Sequence, residues 1–215
     1  MSKLVLFQGD SITDAGRSYE REDIRGRGYA TMVSGELGLR YPEEYEFINR
    51  GISGNRIVDV YARIKKDIIN LKPDYMSLLI GVNDVWHEFN PAHNGVATDK
   101  FEKIYSMLIE EIKEALPDIK LIILEPFVLK GTATTANEEF PDLYPLFRAD
   151  VLDKAAAAKR IAEKYNLPFI PLQDKFDALY NPENPDYWLI DGVHPNAAGH
   201  ALITREWVRV FEEIK

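Results

Sequence analysis

Apolar residues along the chain follow two alternating rhythms. Short, nearly unbroken runs of strand length occur at Lys3 to Phe7, Tyr45 to Asn49, Tyr75 to Ile80, Ile119 to Leu124 and Phe169 to Leu172. Between them, apolar residues recur every three or four positions, the spacing of one helix face. Tyr29 to Leu39 is the first such stretch, with Tyr29, Met32, Val33 and Leu37 in phase. Ile57, Val60, Ile64, Ile68 and Leu71 predict one amphipathic helix ended by Pro73, and Phe101, Ile104, Leu108, Ile112 and Leu116 another, closed by Pro117. The alanine-rich stretch Val151 to Tyr165 is helical, Lys175 to Tyr180 is a helical turn, and a last helix starts after Pro195 and runs toward Ile214. Ala198, Ala201, Leu202 and Phe211 are its expected inward residues.

Strands alternating with helices predict an α/β fold: a five-stranded parallel sheet covered on both faces by right-handed crossovers, a three-layer α/β/α sandwich. The order 2-1-3-4-5 is the natural doubly wound guess. Small polar residues close the first three strands, in Gly9-Asp10-Ser11, Arg50-Gly51-Ile52-Ser53-Gly54-Asn55 and Gly81-Val82-Asn83-Asp84. Parallel strands bring these ends to one sheet edge, where open α/β sheets hold ligands. Trp86 to Ala97 and Asn181 to Asp186 read as loops. Lys130 to Pro145, rich in turn formers and without clear period, is a candidate substrate-side loop.

A length of 215 residues suits one domain spanning 1–215. The net charge of -9, with basic residues scattered, argues against a nucleic-acid or membrane surface and for a small neutral substrate. With no cysteine, neither a disulfide framework nor a thiolate metal site is available. Met1-Ser2-Lys3 leads directly into a strand, with no secretory segment ahead of it, so a cytoplasmic protein is expected. His87, His93 and His200 lack metal-ligand spacing and read as loop or helix-surface residues; no metal and no cofactor is expected.

Ser11 follows a strand and a sharp turn, but a serine hydroxyl needs a base and donors for the oxyanion it creates. Asp191 and His194 stand three residues apart before the last helix, a spacing that lets Asp191 accept from Nδ1 while Nε2 faces Ser11. Ser53 is a rival nucleophile, although Gly-Ile-Ser-Gly-Asn lacks the second glycine of a nucleophile elbow. Taken alone, Gly51 and Gly54 fit an ordinary turn, Asn83 a cap, and Asp191 to Pro195 a helix entry. Their coincidence at strand ends favours a hydrolase. Asp10 and Asp84 read as structural, bonding loop amides.

Gly9-Asp10-Ser11-Ile12, Asn49 to Gly54, Gly81-Val82-Asn83-Asp84 and Asp191-Gly192-Val193-His194-Pro195 resemble, in order and spacing, the conserved blocks of the SGNH (GDSL) hydrolases, across essentially the whole chain. The resemblance implies a flavodoxin-like sandwich, with Ser11 as nucleophile, His194 as base and then acid, and Asp191 fixing the imidazole. It also implies an oxyanion hole of the Ser11 amide, the Gly54 amide and the Asn83 side chain. Further shared pieces, Gly81 to Trp86, Glu125-Pro126-Phe127 and Val193 to His200, resemble cytoplasmic SGNH acetylxylan esterases and carbohydrate acetylesterases. These imply removal of acetyl groups from acetylated xylo-oligosaccharides, and self-association into a homo-oligomer. Trp86, Tyr187 and Trp188 either offer flat faces to a sugar or pack the loops. The chain departs from those relatives in that Trp188 stands three residues before Asp191 rather than directly ahead of it. Lysophospholipase or thioesterase chemistry on lipid or aryl esters is the alternative within the fold. A flavin-binding module is disfavoured because no Ser/Thr-rich phosphate loop follows the first strand.

Overall fold

The computed structural model describes residues 2–215 and contains one parallel sheet, ordered β2-β1-β3-β4-β5. Its strands are β1 (Lys3–Gly9), β2 (Tyr45–Asn49), β3 (Tyr75–Leu79), β4 (Lys120–Leu124) and β5 (Phe169–Ile170). In chain order, the helices are α1 (Ser11–Asp14), α2 (Tyr29–Arg40), α3 (Ile57–Ala62), α4 (Ile64–Asp67), α5 (Val82–Trp86), α6 (Thr98–Ala115), α7 (Leu143–Tyr165), α8 (Gln173–Leu179) and α9 (Ala197–Ile214).

Side chains alternate across a strand, so the sheet divides its apolar residues between two cores. Val5, Phe7, Tyr75, Leu79 and Ile122 enter the one covered by α2 and α9. Leu6, Met76, Leu78, Leu121 and Ile123 enter the other, beneath α3, α4 and α6. Every residue of β3 is buried, as its near-continuous apolar run requires of a central parallel strand.

Several helices differ from the sequence expectation. The stripe from Ile57 to Leu71 is not one helix but α3, α4 and a 3-10 turn at Ile69–Leu71, broken at Arg63 (φ -110°, ψ 14°) and Ile68 (φ -137°, ψ -72°). At the first break the Arg63 guanidinium donates to Gln8 Oε1 at 2.6 Å, Asn55 Oδ1 at 2.8 Å and Arg50 O at 2.9 Å. A polar anchor of that kind leaves no trace in an apolar stripe. Helix α7 begins at Leu143, not Val151. Pro145 lies in its first turn, where amides have no acceptor within the helix, and Leu143, Phe147 and Val151 continue the buried stripe backwards. On α9 the buried seam is Gly199, Ile203, Trp207 and Phe211, while Ala201 is exposed and Ala198 and Leu202 are half-buried. Trp207 sets this phase, its ring 5.5 Å from Phe7 and 5.0 Å from Phe211.

Strand register aligns the carboxyl ends: Phe7 pairs with Asn49, Gly9 with Leu79, and Leu79 with Leu124. The chain can leave β1 this close to β3 only because residue 9 is glycine. A Cβ there would stand 2.4 Å from both Leu79 O and Thr13 Oγ1. Among the described residues, no helix is long and apolar enough to cross a membrane.

Candidate active site

Ser11 opens α1 directly beyond the end of β1. Asp10 caps this short helix, its Oδ1 accepting from the Ile12 amide at 3.0 Å. Asp14, at the other end, joins three segments: Oδ1 accepts from the Gly16 amide at 3.0 Å, and Oδ2 from the Tyr19 hydroxyl at 2.5 Å and the Ser53 amide at 3.2 Å. Asn49 adds a brace from β2, donating from Nδ2 to Thr13 O at 2.7 Å. The serine is therefore fixed by the loops after β1 and β2 together.

From the far end of the chain, His194 places Nε2 2.9 Å from Ser11 Oγ, and its Nδ1 lies 2.6 Å from Asp191 Oδ2. The other oxygen, Oδ1, accepts from the Val193 amide at 2.9 Å and the His194 amide at 2.8 Å. Burial alone would raise the Asp191 pKa, but the bonds from the His194 ring and from these two amides outweigh it and hold the carboxyl below its ordinary value. The bond to Asp191 raises His194 above its ordinary value, against the opposing effect of burial. The turn is supported from behind, with Leu129 N donating to Gly192 O at 2.8 Å and Ala133 N to Asp191 O at 2.9 Å. Thus the start of the 130–145 segment buttresses Asp191. Farther along, Phe140 packs edge-on against Phe89 at 5.1 Å.

Asn83 lies in the first turn of α5, buried, with Nδ2 donating to Asn55 O at 3.2 Å. Gly54 has φ +80°, and the space where a Cβ would stand is open. Ser11, Gly54 and Asn83 thus stand just beyond the ends of three adjacent strands, at one sheet edge. Asp10 and Asp84 are buried carboxyls held by amides: Asp84 accepts from Ile57 N at 3.1 Å on both oxygens. Burial pushes Asp10 up to about 7, opposed by the Ile12 amide and the His194 charge, and places Asp84 well above the usual range, opposed chiefly by the Ile57 amide.

A cavity of about 860 Å³ opens in front of Ser11 and His194, walled by Ser53, Arg27, Ile190 and Ala197 among others. Ser53, the rival serine, faces it with no hydrogen-bonded base among the described residues. Trp86 stands beside the site, its ring 5.8 Å from that of His194 and edge-on to Phe147 at 6.2 Å. Neither Tyr187 and Trp188 nor Gly54, Asn83 and Trp86 line that cavity; Trp188 donates from Nε1 to Leu179 O at 3.0 Å and packs against Tyr187. His200 is not a surface histidine: 6% exposed, it accepts at Nδ1 from the Tyr29 amide at 3.1 Å. Nothing local in the sequence distinguishes it from an outward helix residue. Among the described residues, no group of three His, Asp or Glu is placed to hold a metal ion.

The family model described as GDSL-like lipase/acylhydrolase matches residues 7–202. An acetylxylan esterase from Geobacillus stearothermophilus is 34% identical over 213 residues, covering 95% of this chain and 92% of its own. A crystal structure of that organism's acetylxylan esterase superposes with a TM-score of 0.82 at 33% identity, over 96% of this chain and 93% of that one. An alpha/beta hydrolase from the metagenome of Lake Arreo superposes with a TM-score of 0.81 at 27% identity, over 97% of this chain and 95% of its own.

Proposed function

The chain belongs to the GDSL-like lipase/acylhydrolase family, and on that premise we propose that it is a serine esterase removing acetyl groups from acetylated xylo-oligosaccharides. The observation that carries the reading is the hydrogen-bonded series from Ser11 Oγ to His194 Nε2 at 2.9 Å and from His194 Nδ1 to Asp191 Oδ2 at 2.6 Å. Asp191 keeps the proton on Nδ1, leaving the Nε2 lone pair for the Ser11 hydroxyl. Ser11 Oγ attacks the ester carbonyl as its proton passes to Nε2. The Ser11 and Gly54 amides and Asn83 Nδ2 stabilise the oxyanion. Collapse expels the sugar oxygen, which takes the proton from His194 and leaves an acetyl-serine. Water, deprotonated by the same nitrogen, then releases acetate. Because Asp191 raises the pKa of His194, the imidazolium formed on attack is stabilised where the acid step requires it.

The acetyl and xylo-oligosaccharide parts of the proposal draw support from the 34% identical acetylxylan esterase. Acetate release from acetylated xylo-oligosaccharides, measured beside aryl acetate, butyrate and octanoate esters, tests them. The expected outcome is rapid acetate release and falling rates with acyl length, all abolished in Ser11→Ala. A preference for octanoate that is lost in Ser11→Ala would keep the mechanism and move the substrate to lipid esters. Activity surviving the substitution would refute the nucleophile.

A further inference from the structure

The wall of the cavity beyond His194 brings together an arginine, a buried histidine and the start of a helix. Arg27 lines it, held by its own amide, which donates to Ala15 O at 3.0 Å. Arg27 is exposed on this wall, and its guanidinium has no hydrogen bond or ion pair among the described residues. The neighbouring arginines are less exposed and engaged within the fold: buried Arg17 donates to Gly51 O at 2.7 Å and half-buried Arg25 to Phe47 O at 2.8 Å. His200 lines the same wall and is 6% exposed. Its Nδ1 accepts from Tyr29 N, so the neutral ring carries its hydrogen on Nε2, which has no protein acceptor among the described residues. Burial lowers the pKa of this ring to about 4, so near neutrality it supplies a donor rather than a charge. Ala197, the first residue of α9, completes the wall; the Asn196 side chain caps Gly199, leaving the Ala197 and Ala198 amides without a cap. The one carboxylate on the cavity, Asp191, is engaged at both oxygens. In a chain of net charge -9, the free permanent charge facing this cavity is therefore positive.

We propose that Arg27, the Nε2–H of His200 and the amino end of α9 bind a carboxylate on the alcohol side of the ester, so that the preferred substrate is an O-acetylated sugar acid of the uronate type. The proposal rests on the esterase reading above, and it narrows the substrate that reading names. A volume of about 860 Å³ lies within the range of sites for ligands of this size.

The test compares kcat/KM for an O-acetylated methyl glucuronoside with that for its carboxamide, acetylated at the same position, in wild type and Arg27→Gln. Acetyl-lactate and its amide form a second pair. The expected result is a preference for the uronate over its amide of roughly tenfold or more, carried by KM, collapsing toward unity in Arg27→Gln and shrinking as salt rises. Equal rates for acid and amide in an active wild type would overturn the proposal. A preference confined to the lactate pair would overturn the assignment to a sugar acid. Titration with free glucuronate and with methyl glucoside, followed by calorimetry, separates this idea from the esterase reading. Should no ester be cleaved, glucuronate binding that is lost in Arg27→Gln sustains the carboxylate site, and failure to bind refutes it.

Discussion

At the scale of single residues, two carboxyls act on His194 in the same direction. Asp191 raises its pKa chiefly through their hydrogen bond, and Asp10 adds a weaker through-space effect. The base must be neutral to accept the serine proton, so the acid limb of kcat/KM is expected above the ordinary imidazole value of about 6.5. In Asp10→Asn, which keeps an oxygen for the Ile12 amide, that limb moves down by a fraction of a pH unit, as a pH-rate profile would show. The same variant has a stability signature. The folded-state pKa of Asp10 is raised to about 7, so its protonated form favours the fold, and that stability is lost as pH rises from about 4 through 7. Asp10→Asn is expected to gain about 2–3 kcal/mol on wild type between pH 5 and pH 8, read by denaturant unfolding at both pH values. Asn83 carries a different prediction: loss of one oxyanion donor costs roughly 100- to 1,000-fold in turnover. Near-normal kcat in Asn83→Ala would remove that residue from the oxyanion hole.

At the scale of elements, the turn carrying Asp191 and His194 depends on the chain after β4. A Cβ on Gly131 would stand 2.3 Å from both the carbonyl carbon and oxygen of Asp191. Backbone atoms cannot yield there without moving the carboxylate. Gly131→Ala is expected to lower kcat by roughly tenfold or more with little change in KM, since misplacement by about 1 Å can cost a hundredfold. Unchanged kcat in a folded variant would show that the buttress is dispensable. Elements also show what a sequence discloses. Strands read clearly because their runs are apolar and their ends polar, and the blocks around Ser11, Asn83 and His194 pointed to residues that the fold brings near one sheet edge. Helix phase and extent read less clearly. The breaks at Arg63 and Ile68, the early start of α7 and the seam through Trp207 follow from partners remote in sequence, such as Gln8 for Arg63 and Phe7 for Trp207. The free guanidinium of Arg27 and the inward ring of His200 were illegible for the same reason, since both are defined by what surrounds them.

At the scale of the molecule, the sheet order sets β1 between β2 and β3, so the segments bearing Ser11, Gly54 and Asn83 leave neighbouring strands. His194 arrives from outside the sheet, on the turn that leads into α9. Fixed strand ends and one incoming turn divide the site, with Ser11, Gly54 and Asn83 on the scaffold and His194 on a separately buttressed segment. This arrangement has a consequence for the protein's biosynthesis. The contact between Ser11 and His194 spans 183 residues. A chain growing from its amino end presents Ser11 early and acquires His194 only after all five strands of the sheet have been made. On the proposed mechanism Ser11 is until then an ordinary alcohol, and the growing polypeptide is expected to stay inactive until Asp191 and His194 have emerged.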